Sequence, residues 1–396
     1  MNITINRERL AKTFIGLCEI SSPSRHERAM ADYLKKLFAD LGATDISEDD
    51  SAAETGADSG NLYFRFQGDQ PERDGFFFSC HMDTVQPGEG VRVRFDGEMF
   101  TSMGDTVLGG DDKSGIAAII ETMRLLKEHQ ASHPDIEILI TTCEEIGLLG
   151  ARCFDAAKVR GTYGYTLDSS GIDRVIIGAP AANKFSIRIT GASAHAGLQP
   201  EMGINAIAVA AKAISAIKLG RLDAESTANF GVIAGGVATN IVPECVVIDG
   251  EVRSHDPKKL QAHSEAIAQA FSRVAAAWPE TMTESGPRRP TVDIKLAAEY
   301  PAMRLAPDSP VARRIQTAGR SLGKELEFVI AGGGSDANIF NEKGLPTAIV
   351  ATGMDLVHTT GERLRFGDLL ELTRLLIAIA IIDDESCCAT PRYLVE

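Results

Sequence analysis

The sequence predicts an α/β protein: a larger domain built on a mostly parallel sheet with helices on both faces, interrupted by a smaller α+β domain. Three observations carry this reading. Strand and helix patterns alternate over residues 1–180 and resume after residue 300, the signature of a parallel sheet covered by helices. Between them, residues 181–299 follow a β-α-β-β-α-β order of about the size of a small domain. Several strand candidates also end in a histidine or an acid, and ligands of open α/β sheets gather at those ends. The 396-residue length suits two domains better than one core.

Taken in order, the chain opens as helix, turn, helix. Ser24-Arg25-His26-Glu27 has the spacing of a capping box, and Met30, Leu34, Leu37, Phe38 and Leu41 follow at helical spacing. Residues 47–60, acidic and rich in small side chains, read as a surface loop. Strands are expected at 61–66 and 75–80, a helix at 114–128, and strands at 136–142 and 163–168. The texture then changes. Residues 184–190 alternate as a strand with one exposed face, and 203–217 form an alanine-rich helix. Strands at 230–234 and 246–253, a helix at 258–277 and a strand at 291–299 complete the insert. The first texture returns with a helix at 310–322, the glycine-rich loop Gly332-Gly333-Gly334, a strand at 346–351 and a helix near the C-terminus. The domains expected are therefore 1–180 with 300–384, the insert 181–299, and a tail 385–396.

Composition excludes several classes. The net charge of −15 argues against nucleic acid, which needs a basic surface. The most apolar stretch, 369–382, is interrupted by Glu371 and Arg374 and is too short to span a bilayer, so no membrane partner is expected. The N-terminus lacks a basic region followed by an apolar run. Seven cysteines with no CxxC pair fit reduced thiols in a cytoplasm.

The chemistry lies at the strand ends. His81, Asp111, Glu145, Asp168 and His358 each follow a hydrophobic run, and two imidazoles with three carboxylates make a ligand set for a pair of zinc-like ions. Asp83, two residues from His81 on the same face, can reach its distal ring nitrogen. Glu144 and Glu145 at a buried strand end repel each other unless a cation is near. A division of labour resolves this, with Glu145 binding metal and Glu144 acting as general base toward the attacking water. Each signal alone has an ordinary explanation too: acids before a helix are stabilised by its dipole, and acids cap helices. The Gly332–Ser335 loop lacks the lysine of a phosphate loop and reads as a wall beside the site. A histidine and carboxylate set admits zinc, cobalt or manganese.

At these residues the sequence resembles the peptidase-T-like branch of the dizinc peptidase and deacylase family that includes carboxypeptidase G, acetylornithine deacetylase and aminoacylase. The motifs are Ser-Cys-His-Met-Asp-Thr-Val from Ser79, Leu-Gly-Gly-Asp-Asp-Lys-Ser-Gly from Leu108, Cys-Glu-Glu-Ile-Gly-Leu-Leu-Gly-Ala from Cys143 and Gly-Gly-Gly-Ser-Asp-Ala-Asn from Gly332. The resemblance covers nearly the whole chain except the last dozen residues. It implies that Asp111 bridges two metals, with His81 and Asp168 completing one site and Glu145 and His358 the other. It also implies a cis Asp111–Asp112 peptide, Glu144 as base and Asp83 as the buried partner of His81. In the insert, His195 would bind the oxyanion, often across a dimer interface, while Asn240 and Arg253 would hold a substrate carboxylate. The insert would thus serve as lid and dimerisation domain, and an arginine fork suits a carboxylate.

The expected activity is zinc-dependent hydrolysis of the amide bond in short peptides, aminopeptidase- or tripeptidase-like. Two alternatives stay open: an N-acyl amino-acid deacylase or carboxypeptidase with the same metals, and a non-catalytic metal-binding scaffold. The presence of Glu144 and Asp83 speaks against the scaffold, which needs no base.

Overall fold

The computed structural model describes residues 2–382 and the backbone of Leu394 and Val395, which pairs in parallel with Asn2 and Ile3. Cys387, Cys388 and most of the tail expected at 385–396 lie outside the described residues. The chain forms two compact units: 1–178, 303–331 and 335–396 make the first, 179–302 and 332–334 the second.

The first unit is organised by a nine-stranded mixed sheet whose centre is parallel. Four neighbouring strands, Thr347–Val350, Gly164–Thr166, Phe76–His81 and Ile136–Thr141, run in the same direction. Every residue of Phe76–His81 and Ile136–Thr141 is buried, so both faces of the sheet are covered. That explains why these strands read as unbroken apolar runs rather than alternating ones. Antiparallel strands Leu62–Phe66 and Asp45–Glu48 extend one side. The helix Gly110–His129 crosses from Phe76–His81 to Ile136–Thr141 and packs against Arg7–Cys18 and Phe366–Ile381. The apolar stretch near the C-terminus is thus a buried helix, and among the described residues no helix is long and apolar enough to cross a membrane.

Two local expectations are corrected. Residues 47–60 are not simply a surface loop: Asp45–Glu48 is a strand, Ala52–Thr55 a short helix, and Ser51, Thr55 and Ser59 are buried. The acidity there is used internally, since Asp49 Oδ1 accepts the backbone N–H groups of Ser51 (3.1 Å) and Asn61 (2.9 Å). Nor does Ser24-Arg25-His26-Glu27 form a capping box. The helix Arg28–Leu41 follows Glu27 with no side-chain cap. Glu27 is fully buried, and its Oε1 accepts from Thr142 Oγ1 (2.7 Å) and the backbone N–H groups of Arg25 (3.0 Å) and Cys143 (3.1 Å). A distant turn outcompetes the local cap.

The second unit is a five-stranded antiparallel sheet in the order Gly220–Arg221, Ser226–Gly235, Cys245–Ser254, Ala181–Thr190 and Thr291–Tyr300. Its strands alternate, and Phe185, Ile187, Ile189, Val246, Ile248 and Val252 face a core shared with helices Ala206–Ser215 and Pro257–Ala277. The helix expected at 203–217 is shorter because Asn205 caps it, accepting from Ala208 N.

Candidate active site

Each of the four parallel strands leads to one site residue, at its carboxyl end or in the chain that follows it. His81 ends Phe76–His81, Glu145 follows Ile136–Thr141, Asp168 follows Gly164–Thr166, and His358 lies in the loop after Thr347–Val350. Asp111 comes from a non-helical kink at the start of the crossover element Gly110–His129, with φ of −82° and ψ of 105°, and the Asp111–Asp112 peptide is cis, as the resemblance implies. The turns that aim these side chains use left-handed backbone at non-glycine residues, with φ of 52° at Cys143, 54° at Leu356 and 61° at His358. Such residues are uncommon and cluster at functional sites.

The structure brings all five together. Asp111 divides its two oxygens between the histidines: Oδ1 lies 3.1 Å from His81 Nε2, and Oδ2 lies 3.2 Å from His358 Nε2. His358 Nε2 also lies 3.1 Å from Glu145 Oε2, and His81 Nε2 lies 4.0 Å from Asp168 Oδ1. His81 Nδ1 donates to the backbone carbonyl of Asp83 at 3.0 Å. In the neutral ring that leaves an Nε2 lone pair facing a carboxylate, an arrangement that needs a proton or a cation between them.

The electrostatics say the same. Burial, then the Asp168 carboxylate, pushes Glu144 well above the usual carboxylate range. Burial, then Asp111, does the same to Asp168. Hydrogen bonds to Asp111 and Glu145 push His358 up to about 10. Glu145 Oε1 is buried and has no hydrogen-bond partner. An acid-rich pocket with an orphaned carboxylate oxygen fits cations. Ligands of one tetrahedral zinc, each about 2.1 Å from the ion, stand about 3.4 Å apart, close to the spacings at Asp111.

Asp83 is buried beside His81 as expected and has a second set of partners. Its carboxylate is 3.5 Å from His81 Nδ1, and it is the main-chain carbonyl that holds the ring. The carboxylate instead accepts the backbone N–H groups of Glu144 (Oδ1, 2.9 Å) and Glu145 (Oδ2, 3.3 Å) and the hydroxyl of Ser24 (2.7 Å). It therefore holds the turn that carries both glutamates.

In the second unit, the backbone N–H of Ala196 donates to the Asn240 carbonyl, so the segments of His195 and Asn240 adjoin. Both residues are exposed. His195 Nδ1 accepts from Gly197 N at 3.2 Å, which puts the proton of the neutral ring on Nε2, the tautomer an oxyanion donor needs. Arg253 is paired: Nη2 donates to Glu251 Oε2 at 3.0 Å, Nε lies 2.9 Å from Glu251 Oε1 as an ion pair without a hydrogen bond, and Nη1 donates to the Gly332 carbonyl at 3.3 Å.

Sequence reasoning missed a layer of buried acids behind the site. Glu362 accepts from Gly109 N and Asp111 N, Asp112 Oδ2 accepts from His81 N, and Asp336 accepts from Thr141 Oγ1. Burial pushes Asp336 up to about 6. Asp112 and Asp336 stood in motifs already noticed, but Glu362 carried no sequence signal beyond lying four residues after His358.

A parallel sheet with this ligand set at its carboxyl edge defines the class, a metallohydrolase. The chain belongs to Peptidase family M20/M25/M40, whose model matches residues 77–381. It is 38% identical over 376 residues to the uncharacterised protein YqjE of Bacillus subtilis, covering 95% of this chain and 98% of that one. The crystal structure of aminopeptidase PepT from Bacillus cereus is similar at a TM-score of 0.85 and 37% identity, covering 95% of this chain and 98% of that chain. A tripeptidase from Staphylococcus aureus is similar at a TM-score of 0.88 and 34% identity with the same coverage. The protein is a peptidase-T-like hydrolase of peptide bonds.

Proposed function

We propose that the protein is a dizinc aminopeptidase acting on short peptides, tripeptides first. The observation that carries this reading is the division of the Asp111 carboxylate between two histidines, one on each oxygen. His81 and Asp168 would hold one cation, Glu145 and His358 the other, with Asp111 shared. When bound, zinc-like ions supply Lewis acidity that polarises the scissile carbonyl and makes the attacking water more acidic.

The chain's own groups do the rest. Glu144, oriented by the grip of Asp83 on its backbone, takes the proton of the attacking water and returns it to the leaving amine. His195 donates its Nε2–H to the oxyanion, and Asn240 and Arg253 bind the substrate carboxylate, for which Arg253 must exchange its Glu251 partner. The similarity to PepT and the tripeptidase favours cleavage from the N-terminus. The second unit serves as lid and dimerisation domain. Supporting this, Val232, Ile233 and Ile207 are 55%, 57% and 45% exposed, on the strand Ser226–Gly235 and the helix Ala206–Ser215. A cytoplasmic location fits the five free cysteines among the described residues.

The test is a panel of a tripeptide, a dipeptide and an N-acetyl amino acid, each with and without a chelator. Chelator-sensitive cleavage of the tripeptide supports the reading. Preference for the N-acetyl amino acid would make the protein a deacylase, and no cleavage of any of them would make it a scaffold. Glu144→Ala should abolish turnover while zinc stays near two per chain, and retained activity would overturn the role of Glu144.

A further inference from the structure

We infer that Glu362 is a positioning residue that locks Asp111 and the His358 turn together, and so sets the affinity of the cation site formed by Glu145 and His358. The inference rests on the two-cation reading above. Glu362 is buried, and its carboxylate accepts two backbone N–H groups of the turn leading into Asp111: Gly109 N to Oε2 at 2.8 Å and Asp111 N to Oε1 at 3.0 Å. Gly109 is left-handed, with φ of 75°. A Cβ on Gly110 would stand 3.1 Å from Glu362 Oε1, so the missing side chain there lets the carboxylate approach the turn.

Glu362 also closes the turn that carries His358. Its N–H donates to the Thr359 carbonyl at 3.1 Å, and Thr359 Oγ1 donates to the Leu356 carbonyl at 2.7 Å. One side chain therefore fixes the backbone of the shared ligand and belongs to the tight turn of a second ligand. His81 is held chiefly by its strand pairing and by the Asp83 carbonyl, its one bond to the Asp111 turn being the longer 3.3 Å contact of its N–H with Asp112 Oδ2. Loss of Glu362 should thus fall on one cation more than on the other. Groups that orient ligands without touching the metal typically contribute about 10- to 100-fold in affinity.

The variant is Glu362→Gln, which keeps the shape but replaces one acceptor oxygen with a donor. Chelator-stripped full-length wild type and variant are titrated with zinc in competition with a chromophoric indicator, and their metal-free melting temperatures are compared. Two zinc ions with unequal loss, one affinity falling tenfold or more and the other less than threefold, support the inference. Wild-type affinities at both sites overturn it. Equal losses at both sites with a lower metal-free melting temperature also overturn it, because they show a general structural role. A wild-type stoichiometry below two overturns the two-cation reading and this inference with it. Gly110→Ala, which pushes on the same carboxylate without removing its charge, gives the same readout should Glu362→Gln fail to fold.

Discussion

Asp83→Asn separates two roles for a buried acid beside a metal-binding histidine. The Asp83 carboxylate accepts three hydrogen bonds, from Glu144 N, Glu145 N and Ser24 Oγ. Asparagine offers one oxygen and one amide nitrogen. With the oxygen toward Glu144 N, the amide can donate to a rotated Ser24 hydroxyl, and the Glu145 N–H is left facing another donor. An unsatisfied buried N–H costs about 1–3 kcal/mol. The His81 side of the balance is small, because Nδ1 lies 3.5 Å from the carboxylate and its hydrogen bond goes to the main-chain carbonyl, which asparagine keeps. If the lost bond is felt through Glu144 in the transition state, at 1.36 kcal/mol per tenfold, kcat/KM for a tripeptide should fall about 5- to 150-fold. Zinc content, measured by elemental analysis, should stay at the wild-type value. Activity within twofold of wild type would refute the reasoning, and so would a loss that tracks the departure of one zinc ion, which would return the carboxylate to supporting His81.

Gly150→Ala should destabilise the fold by about 1–3 kcal/mol, read as a lower urea midpoint, because its Cβ would stand 2.2 Å from the Thr142 carbonyl oxygen and 2.4 Å from Asn61 Oδ1. A midpoint equal to wild type would show that this backbone can move. Acid stability offers an independent check at Glu48. Burial alone would raise its pKa, but Arg28 and Lys35 outweigh burial and bring it down to about 2. A lowered folded-state pKa contributes stability that is present above the unfolded value near 4.3 and lost as pH falls toward 2. Between pH 4.5 and 2 the wild-type urea midpoint should therefore fall more steeply than that of Glu48→Gln, and parallel curves would remove Glu48 from the account.

What was legible in the sequence was whatever a run of neighbours encodes. Phe76–His81 and Ile136–Thr141 could be read because strands covered on both faces are continuously apolar, and the polar residue that follows marks where the sheet opens to solvent. What stayed hidden depends on partners far apart in the chain. Glu27 reads as part of a local cap yet bonds Cys143, 116 residues away, and Glu362 reaches Gly109 across 253 residues. The His81–Asp83 pair shows what spacing leaves out. The two-residue spacing placed Asp83 beside the ring, but spacing cannot distinguish a carboxylate from a carbonyl of the same residue.

The arrangement of the four parallel strands has a further consequence. Neighbouring strands lie about 4.8 Å apart, a distance fixed by backbone hydrogen bonding rather than by side chains. Because Glu145, His81 and Asp168 follow three adjacent strands, the sheet sets the order and spacing of their starting points, and the side chains close the remaining gap, His81 Nε2 reaching to 4.0 Å from Asp168 Oδ1. Loops that carry none of these residues can lengthen, shorten or change composition without altering that scale. Substrate preference can drift while the spacing of the reactive centre stays where the backbone sets it.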